Sequence, residues 1–186
     1  MTNPDGDVLQ PHGPWTIVRS QIVYRDAWID VRKDDVIRPD GEPGTHSIVS
    51  VRRGVTVLAL DVDRQLHLTE EFHYGVGRVT LEGVSGGIEE GEEPLAAARR
   101  ELAEELGITA ERWTDLGFVD PFTTNVFSPT RLFLAQVLSH GPSAPEGTEL
   151  IRCVRVPLAE AVAMVLDSRI SHAPTCVAIL KTSILV

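Results

Sequence analysis

Gly86-Gly-Ile-Glu-Glu-Gly-Glu92 and, after a gap of seven residues, Arg100-Glu-Leu-Ala-Glu-Glu-Leu-Gly-Ile108 form the stretch from which the rest of the chain is read. Between Pro94 and Leu106 the apolar residues Leu95, Ala98, Leu102 and Leu106 recur at intervals of three and four, which predicts one face of an α-helix. Pro94 suits the first turn and Gly107 the C-terminal stop. Glu101, Glu104 and Glu105 share the flank of that face, because residues three and four apart are neighbours on a helix. Carboxylates crowded in this way repel one another unless a cation lies between them, and hard divalent ions such as Mg2+ or Mn2+ prefer oxygen ligands. Glu pairs on helices are more often a solvated face than a metal platform. The neighbouring glycines favour the platform. Gly83, Gly86, Gly87 and Gly91 crowd the segment before the helix, where a missing Cβ permits close backbone approach to a ligand.

Composition bounds the function class. At 186 residues the chain fits one soluble domain with a substantial core. Acidic residues outnumber basic ones, 27 to 17, for a formal net charge of −10. Polynucleotide binding rests on Lys and Arg neutralising phosphates, so a nucleic-acid partner is not expected. Small anionic substrates remain compatible, since a bound metal inverts the local charge. Cys153 and Cys176 have no metal or redox spacing and read as buried, reduced thiols. No N-terminal apolar run follows basic residues, and no eighteen apolar residues occur in succession, so a cytoplasmic protein without membrane contact is expected.

Along the chain the pattern is mixed α/β without repeats. Residues 1–14, rich in Pro, Gly and Asp, read as a loose tail. Trp15 to Val36 reads as two strands, Arg38 to Gly44 as a turn and His46 to Val51 as a third strand. Val55–Leu60 and Leu66–Glu70 around an Asp61–Arg64 turn predict a hairpin. Beyond the helix, Trp113–Val119, Thr130–Leu138 and Ile151–Val156 are strand-like, while Leu158–Leu166 and Pro174–Ile184 are helical. Strands and helices in this order imply a sheet with helices on its faces.

The quoted stretch resembles the signature of the Nudix hydrolases: Gly, five residues, Glu, seven residues, then Arg-Glu-aliphatic-x-Glu-Glu-x-Gly-aliphatic. All seven invariant positions and both aliphatic ones are matched, a far more specific signal than a lone glycine loop. The resemblance extends from about Trp15 to the C-terminus and is nearest to the ADP-ribose and nucleoside-diphosphate-sugar pyrophosphatase branch. Glu71-Phe-His-Tyr-Gly-Val-Gly-Arg78 is similar to a branch segment that ends in Val-Gly-Arg. Leu81-Glu-Gly-Val-Ser-Gly86 stands where the branch has Leu-Glu-Leu-Pro-Ala-Gly, and Pro121 and Ser171–Leu180 resemble its downstream proline and terminal helix. His73 replaces an arginine, Glu71 a glutamine, and Gly83-Val-Ser85 replaces Leu-Pro-Ala.

The resemblance implies an α/β Nudix fold, a mixed β-sheet sandwiched between α-helices, with an N-terminal antiparallel strand unit. Its divisions are a tail over 1–14, a dimerising strand unit over 15–52 and a catalytic domain over 53–186. It implies Mg2+-dependent hydrolysis (Mn2+ as a substitute) of the pyrophosphate bond of a nucleoside diphosphate sugar, ADP-ribose above all, by a homodimer. Glu101, Glu104 and Glu105, with the backbone carbonyl of Ser85, are the implied metal ligands. Glu104 also counts as catalytic, with Glu149 as general base and Glu146 as second choice. His73 and Arg78 are candidate substrate contacts. Trp28 is another, by stacking on a base, against the plainer reading of a packed strand aromatic. Gly86, Glu92, Arg100 and Gly107 are structural, with a Glu92–Arg100 salt bridge bracing loop against helix. Competing readings are a sensor that binds the nucleotide-sugar without cleaving it, and a hydrolase of (d)NTPs or dinucleoside polyphosphates.

Overall fold

The structure is a computed structural model that describes residues 9–144 and 150–186. Its described residues form two compact units: those up to Arg52 together with Phe122–Ser128, and those of Arg53–Pro121 together with Pro129–Val186.

The first unit is a five-stranded sheet in the order β1-β2-β3-β4-β10, built from β1 (Gln10–His12), β2 (Trp15–Arg25), β3 (Ile29–Ile37), β4 (Pro43–Val51) and β10 (Val126–Phe127). The expected loose segment over 1–14 is therefore too long. Gly13 turns the chain with φ 58°, His12 pairs with Trp15, and β1 becomes an edge strand where Pro11 is tolerated. Between β2 and β3, Asp26 Oδ1 accepts the backbone N–H groups of Trp28 and Ile29 at 2.7 and 2.8 Å, an Asx-type turn. Trp28 thus sits in a bend and not in a strand. It is 68% exposed, with the Arg52 guanidinium over its ring at 5.4 Å, which overturns the packed-aromatic reading. Phe122–Ser128, expected within the catalytic domain, joins this unit because β10 lies parallel to β4.

The second unit holds a mixed seven-stranded sheet. Its strands are β5 (Gly54–Leu60), β6 (Gln65–His73), β7 (Arg78–Glu82), β8 (Val84–Gly87), β9 (Ile108–Val119), β11 (Thr130–His140) and β12 (Arg152–Pro157). The order β12-β6-β5-β11-β9 carries β7 on β6 and β8 on β5, and the β5/β11 pair is parallel. A strand covered on both faces needs a nearly continuous apolar run, which Val55 to Leu60 supplies. Val55, Val57 and Ala59 face Ala97, Ala98 and Leu102 of α1 (Pro94–Leu106). Leu58 and Leu60 face the opposite way, onto Ala161 of α2 (Leu158–Leu166) and Ala178 and Ile179 of α3 (Ala173–Leu185). The sheet therefore lies between helices, as expected.

α1 begins with Pro94 and ends at Gly107, whose φ of 62° is left-handed and whose N–H bonds the Ala103 carbonyl at 3.0 Å. A Cβ at Gly107 would also lie 2.3 Å from the Gly141 carbonyl oxygen, so both conformation and space demand glycine. Cys153 departs from the expected buried thiol, because β12 is the sheet edge and the residue is exposed there. Among the described residues, no helix is long and apolar enough to cross a membrane.

Candidate active site

Strand β8 and helix α1 meet at Gly86 and Glu101. A Cβ on Gly86 would lie 2.0 Å from the Glu101 carboxyl carbon, so glycine is what lets that carboxylate rest on the β8 backbone. β8 is held to β5 by the Val55/Gly86 and Thr56/Ser85 pairings, and Ser85 Oγ adds hydrogen bonds with Thr56 Oγ1 and the Gly83 carbonyl, both 2.9 Å. A hydroxyl here pins the loop in place of the branch's alanine. Gly83 is equally confined, since a Cβ would lie 2.9 Å from the Val57 carbonyl oxygen.

Arg100 organises the loop that precedes the helix. Its Nε and Nη2 donate to the two carboxylate oxygens of Glu92, each at 3.0 Å, and Nη2 also reaches the Gly87 carbonyl at 2.9 Å. Nη1 donates to Glu101 at 2.8 Å and Glu104 at 3.2 Å. The Glu89 N–H closes the loop onto Glu92 at 3.0 Å. Hydrogen bonding to Arg100 and to the Glu89 amide holds the Glu92 carboxyl below its usual range, and the carboxylates hold the guanidinium firmly protonated. The implied brace of loop against helix is thus present as a bidentate pair.

The three helix carboxylates differ more than their spacing suggests. Glu104 has a side chain 40% exposed, Glu101 is half-buried between Arg100 and β8, and Glu105 is buried at 9%. Among the described residues no three His, Cys, Asp or Glu side chains converge as metal ligands do. Arg100 Nη1 is instead the cation bridging Glu101 and Glu104. The residues nonetheless fit a divalent ion: hard oxygen donors cluster beside a backbone cradle that a Cβ at Gly86 would fill.

A second polar cluster of this unit was not expected. Glu82, only 8% exposed at the end of β7, accepts Thr80 Oγ1–H at 2.6 Å and meets His172 Nδ1 at 3.0 Å and His73 Nδ1 at 3.9 Å. Burial pushes the Glu82 carboxyl up, but the His172 hydrogen bond and charge, with Thr80 and His73, outweigh it and hold the group below its usual range. Thr175 Oγ1 ties His172 at 2.9 Å to the Gly83 N–H at 2.9 Å, anchoring the start of α3 to the turn before β8. His73 joins this network through Thr80 at 2.8 Å. Arg78, opposite His73 in the β6/β7 register, donates to Ser171 Oγ at 2.9 Å. The candidate substrate residues His73 and Arg78 are thus brought together, whereas Trp28 belongs to the other unit. Glu146 and Glu149 lie outside the described residues. Glu82 and His172 carry no sequence signal of their own, since ninety residues separate them.

Residues 50–175 match the NUDIX domain model. The chain belongs to the Nudix family. Residues 15–49 match the nucleoside diphosphate sugar hydrolase N-terminal domain. The chain is 31% identical over 173 residues to the ADP-ribose pyrophosphatase of Bacillus subtilis (strain 168), covering 88% of this chain and 89% of that one. It is 25% identical over 171 residues to the methanol dehydrogenase activator of Bacillus methanolicus, covering 87% and 89%. A crystal structure of an ADP compounds hydrolase superposes with TM-score 0.81 at 25% identity, covering 97% of this chain and 96% of that one. This Nudix protein is an enzyme of the ADP-ribose and nucleoside-diphosphate-sugar pyrophosphatase branch, and its Gly86–Ile108 segment is the Nudix box. Nudix hydrolases generally work with divalent metal ions, in keeping with the oxygen donors gathered on α1.

Proposed function

We propose that this Nudix hydrolase cleaves the pyrophosphate bond of ADP-sugars, with ADP-ribose hydrolysed to AMP and ribose 5-phosphate. The observation that carries the reading is the Glu101 carboxylate seated on Gly86 and braced by Arg100, an acidic platform built around a backbone cradle. The B. subtilis relative named ADP-ribose pyrophosphatase supports the substrate class.

Glu101 and Glu105, helped by Glu104 and the Ser85 carbonyl, would hold Mg2+, with Mn2+ as a substitute. When bound, the ion offsets phosphate charge and lowers the pKa of water. The residues of the chain then divide the remaining work. Glu149, or Glu146 in its place, takes a proton from the attacking water as general base. Water oxygen bonds to one phosphorus while the bridging oxygen departs with the other phosphate. Arg78 and His73 contact the substrate's anionic portion, and a guanidinium does so with more directional hydrogen bonds than an imidazole. Trp28, exposed and with its backbone N–H bonded to Asp26, is available to stack on the base. The strand unit over 15–52 mediates a homodimer, the unit built from Arg53–Pro121 and Pro129–Val186 carries the chemistry, and the enzyme works in the cytoplasm.

The test is Mg2+-dependent release of AMP from ADP-ribose, compared with ADP-glucose, dNTPs and diadenosine polyphosphates under one set of conditions. ADP-ribose is expected to give the highest kcat/KM. Preference for a triphosphate or a dinucleoside polyphosphate would overturn the assignment, and tight binding of ADP-ribose without cleavage would point to a sensor.

A further inference from the structure

At the C-terminal end of the Nudix box, the second unit has a cavity of about 440 Å3 lined by Asp61, His67, His140, Cys153 and Arg155 together with Leu106 and Ile108. The β6/β12 register creates it. Arg155 pairs with His67 and Cys153 with Thr69, so Cys153 stands diagonally beside His67 on the same sheet face. The turn after β5 adds Asp61, whose Oδ1 accepts the Gln65 N–H at 2.8 Å and whose Oδ2 lies 3.1 Å from His67 Nε2.

These contacts set the state of the imidazole. His67 is 4% exposed, and its burial lowers its affinity for a proton more than the Asp61 hydrogen bond raises it. The neutral ring donates Nε2–H to Asp61 and leaves the Nδ1 lone pair facing Cys153 Sγ at 4.0 Å. Partial burial of the sulfur, only partly offset by Arg155, keeps the Cys153 proton in place above the ordinary thiol range. A thiol in that condition reacts only if a base removes its proton. His67 is placed to do so, and Asp61 is placed to stabilise the resulting imidazolium, the division of labour of a nucleophile–base–carboxylate triad.

We propose that Cys153 is a base-assisted thiol that forms mixed disulfides with small anionic disulfides admitted to this cavity. The electron and proton balance is complete. Cys153 Sγ attacks one sulfur of the incoming disulfide, its proton passes to His67 Nδ1, the S–S bond breaks, and the departing thiolate recovers the proton. No further oxidant is needed. Arg155 selects for negative charge, since it is exposed at the cavity beside Cys153 and faces the incoming group. Among the described residues Cys176 has no histidine placed in this way: its Sγ donates to the Ile170 carbonyl at 3.3 Å, and burial raises its thiol too.

The experiment incubates the full chain with glutathione disulfide or with cystamine, an anionic and a cationic probe, and follows adducts at each cysteine by peptide mass spectrometry. Cys153 is expected to react with glutathione disulfide at least about tenfold faster than Cys176, and His67→Gln and Asp61→Asn are each expected to slow it about tenfold or more. Arg155→Gln, at an exposed position, should slow glutathione disulfide and leave cystamine unchanged. Equal rates at the two cysteines in the unaltered protein overturn the proposal without recourse to any variant. An unchanged Cys153 rate in a folded Asp61→Asn or His67→Gln protein also overturns it, and so does cystamine reacting as fast as glutathione disulfide.

Discussion

Arg100 holds Glu92 by a two-point grip across eight positions of sequence, Nε to one carboxylate oxygen and Nη2 to the other, both at 3.0 Å. No helical spacing brings such residues together, so the pair exists only because the Ile88–Glu93 loop folds back onto α1. The same guanidinium reaches Glu101 and Glu104, which makes it the joint between the loop and the acidic face.

Replacing Arg100 by Lys keeps the charge and loses the fork. Arg100→Lys is expected to cost about 1.5–3 kcal/mol of stability, the range for hydrogen bonds to charged groups in a partly buried site. Urea unfolding of both proteins measures it. Turnover should fall as well, since Glu101 loses its brace, and a lysine variant of native stability and turnover would show the grip to be dispensable.

Gly86→Ala separates the site from the fold. The atoms nearest the added Cβ are the carboxyl end of the Glu101 side chain and not backbone, so the side chain can swing away at the cost of its Arg100 hydrogen bond while the strand pairing is kept. The displaced carboxylate can no longer share the cradle, and kcat is expected to drop by about 10²-fold or more, as when a charge-stabilising group is removed. Thermal melts alongside steady-state kinetics would reveal the dissociation, and full activity in the alanine variant contradicts the cradle.

Glu104→Gln and Glu105→Gln should both depress turnover at saturating Mg2+ by about 10²-fold or more. Their stabilities should diverge. Glu104 is 40% exposed and its loss is expected to leave the fold almost unaffected, whereas Glu105 is 9% exposed and a neutral replacement there changes a buried position. Parallel denaturation curves with different midpoints are the expected pattern, and near-normal turnover in either variant would remove that residue from the metal platform.

Glu82 gives a pH signature. Its folded pKa lies below the reference value of 4.5, so its contribution to stability is present above that value and is lost as pH falls through the folded pKa. Glu82→Gln is therefore expected to be less stable than the unaltered chain at pH 7, with the gap closing as pH falls below about 4.5. Unfolding free energies across pH 3–7 check this, and a gap that is constant over the range would mean the carboxylate's charge plays no part.

The parts of this Nudix hydrolase that the amino-acid sequence determined by itself are those set by local rules. Helix α1 runs from Pro94 to Leu106 as its apolar period, first-turn proline and αL glycine dictate, and the β5/β6 hairpin follows from apolar runs around an Asp-rich turn. The Nudix box is legible for the same reason, since its functional spacing lies within one loop and one helix. Tertiary structure decided what depends on distant partners. Strands β1, β7, β8 and β10 are short or glycine-rich and persist only because β2, β6, β5 and β4 supply their hydrogen bonds. The unequal burial of Glu101, Glu104 and Glu105 follows from what α1 packs against. The Glu82–His172 and His67–Cys153 contacts join residues separated by 90 and 86 positions. Periodicity reports which face of an element is apolar, but it carries no information about which remote residue that face will meet, and only the closed sheet with its helices specifies that.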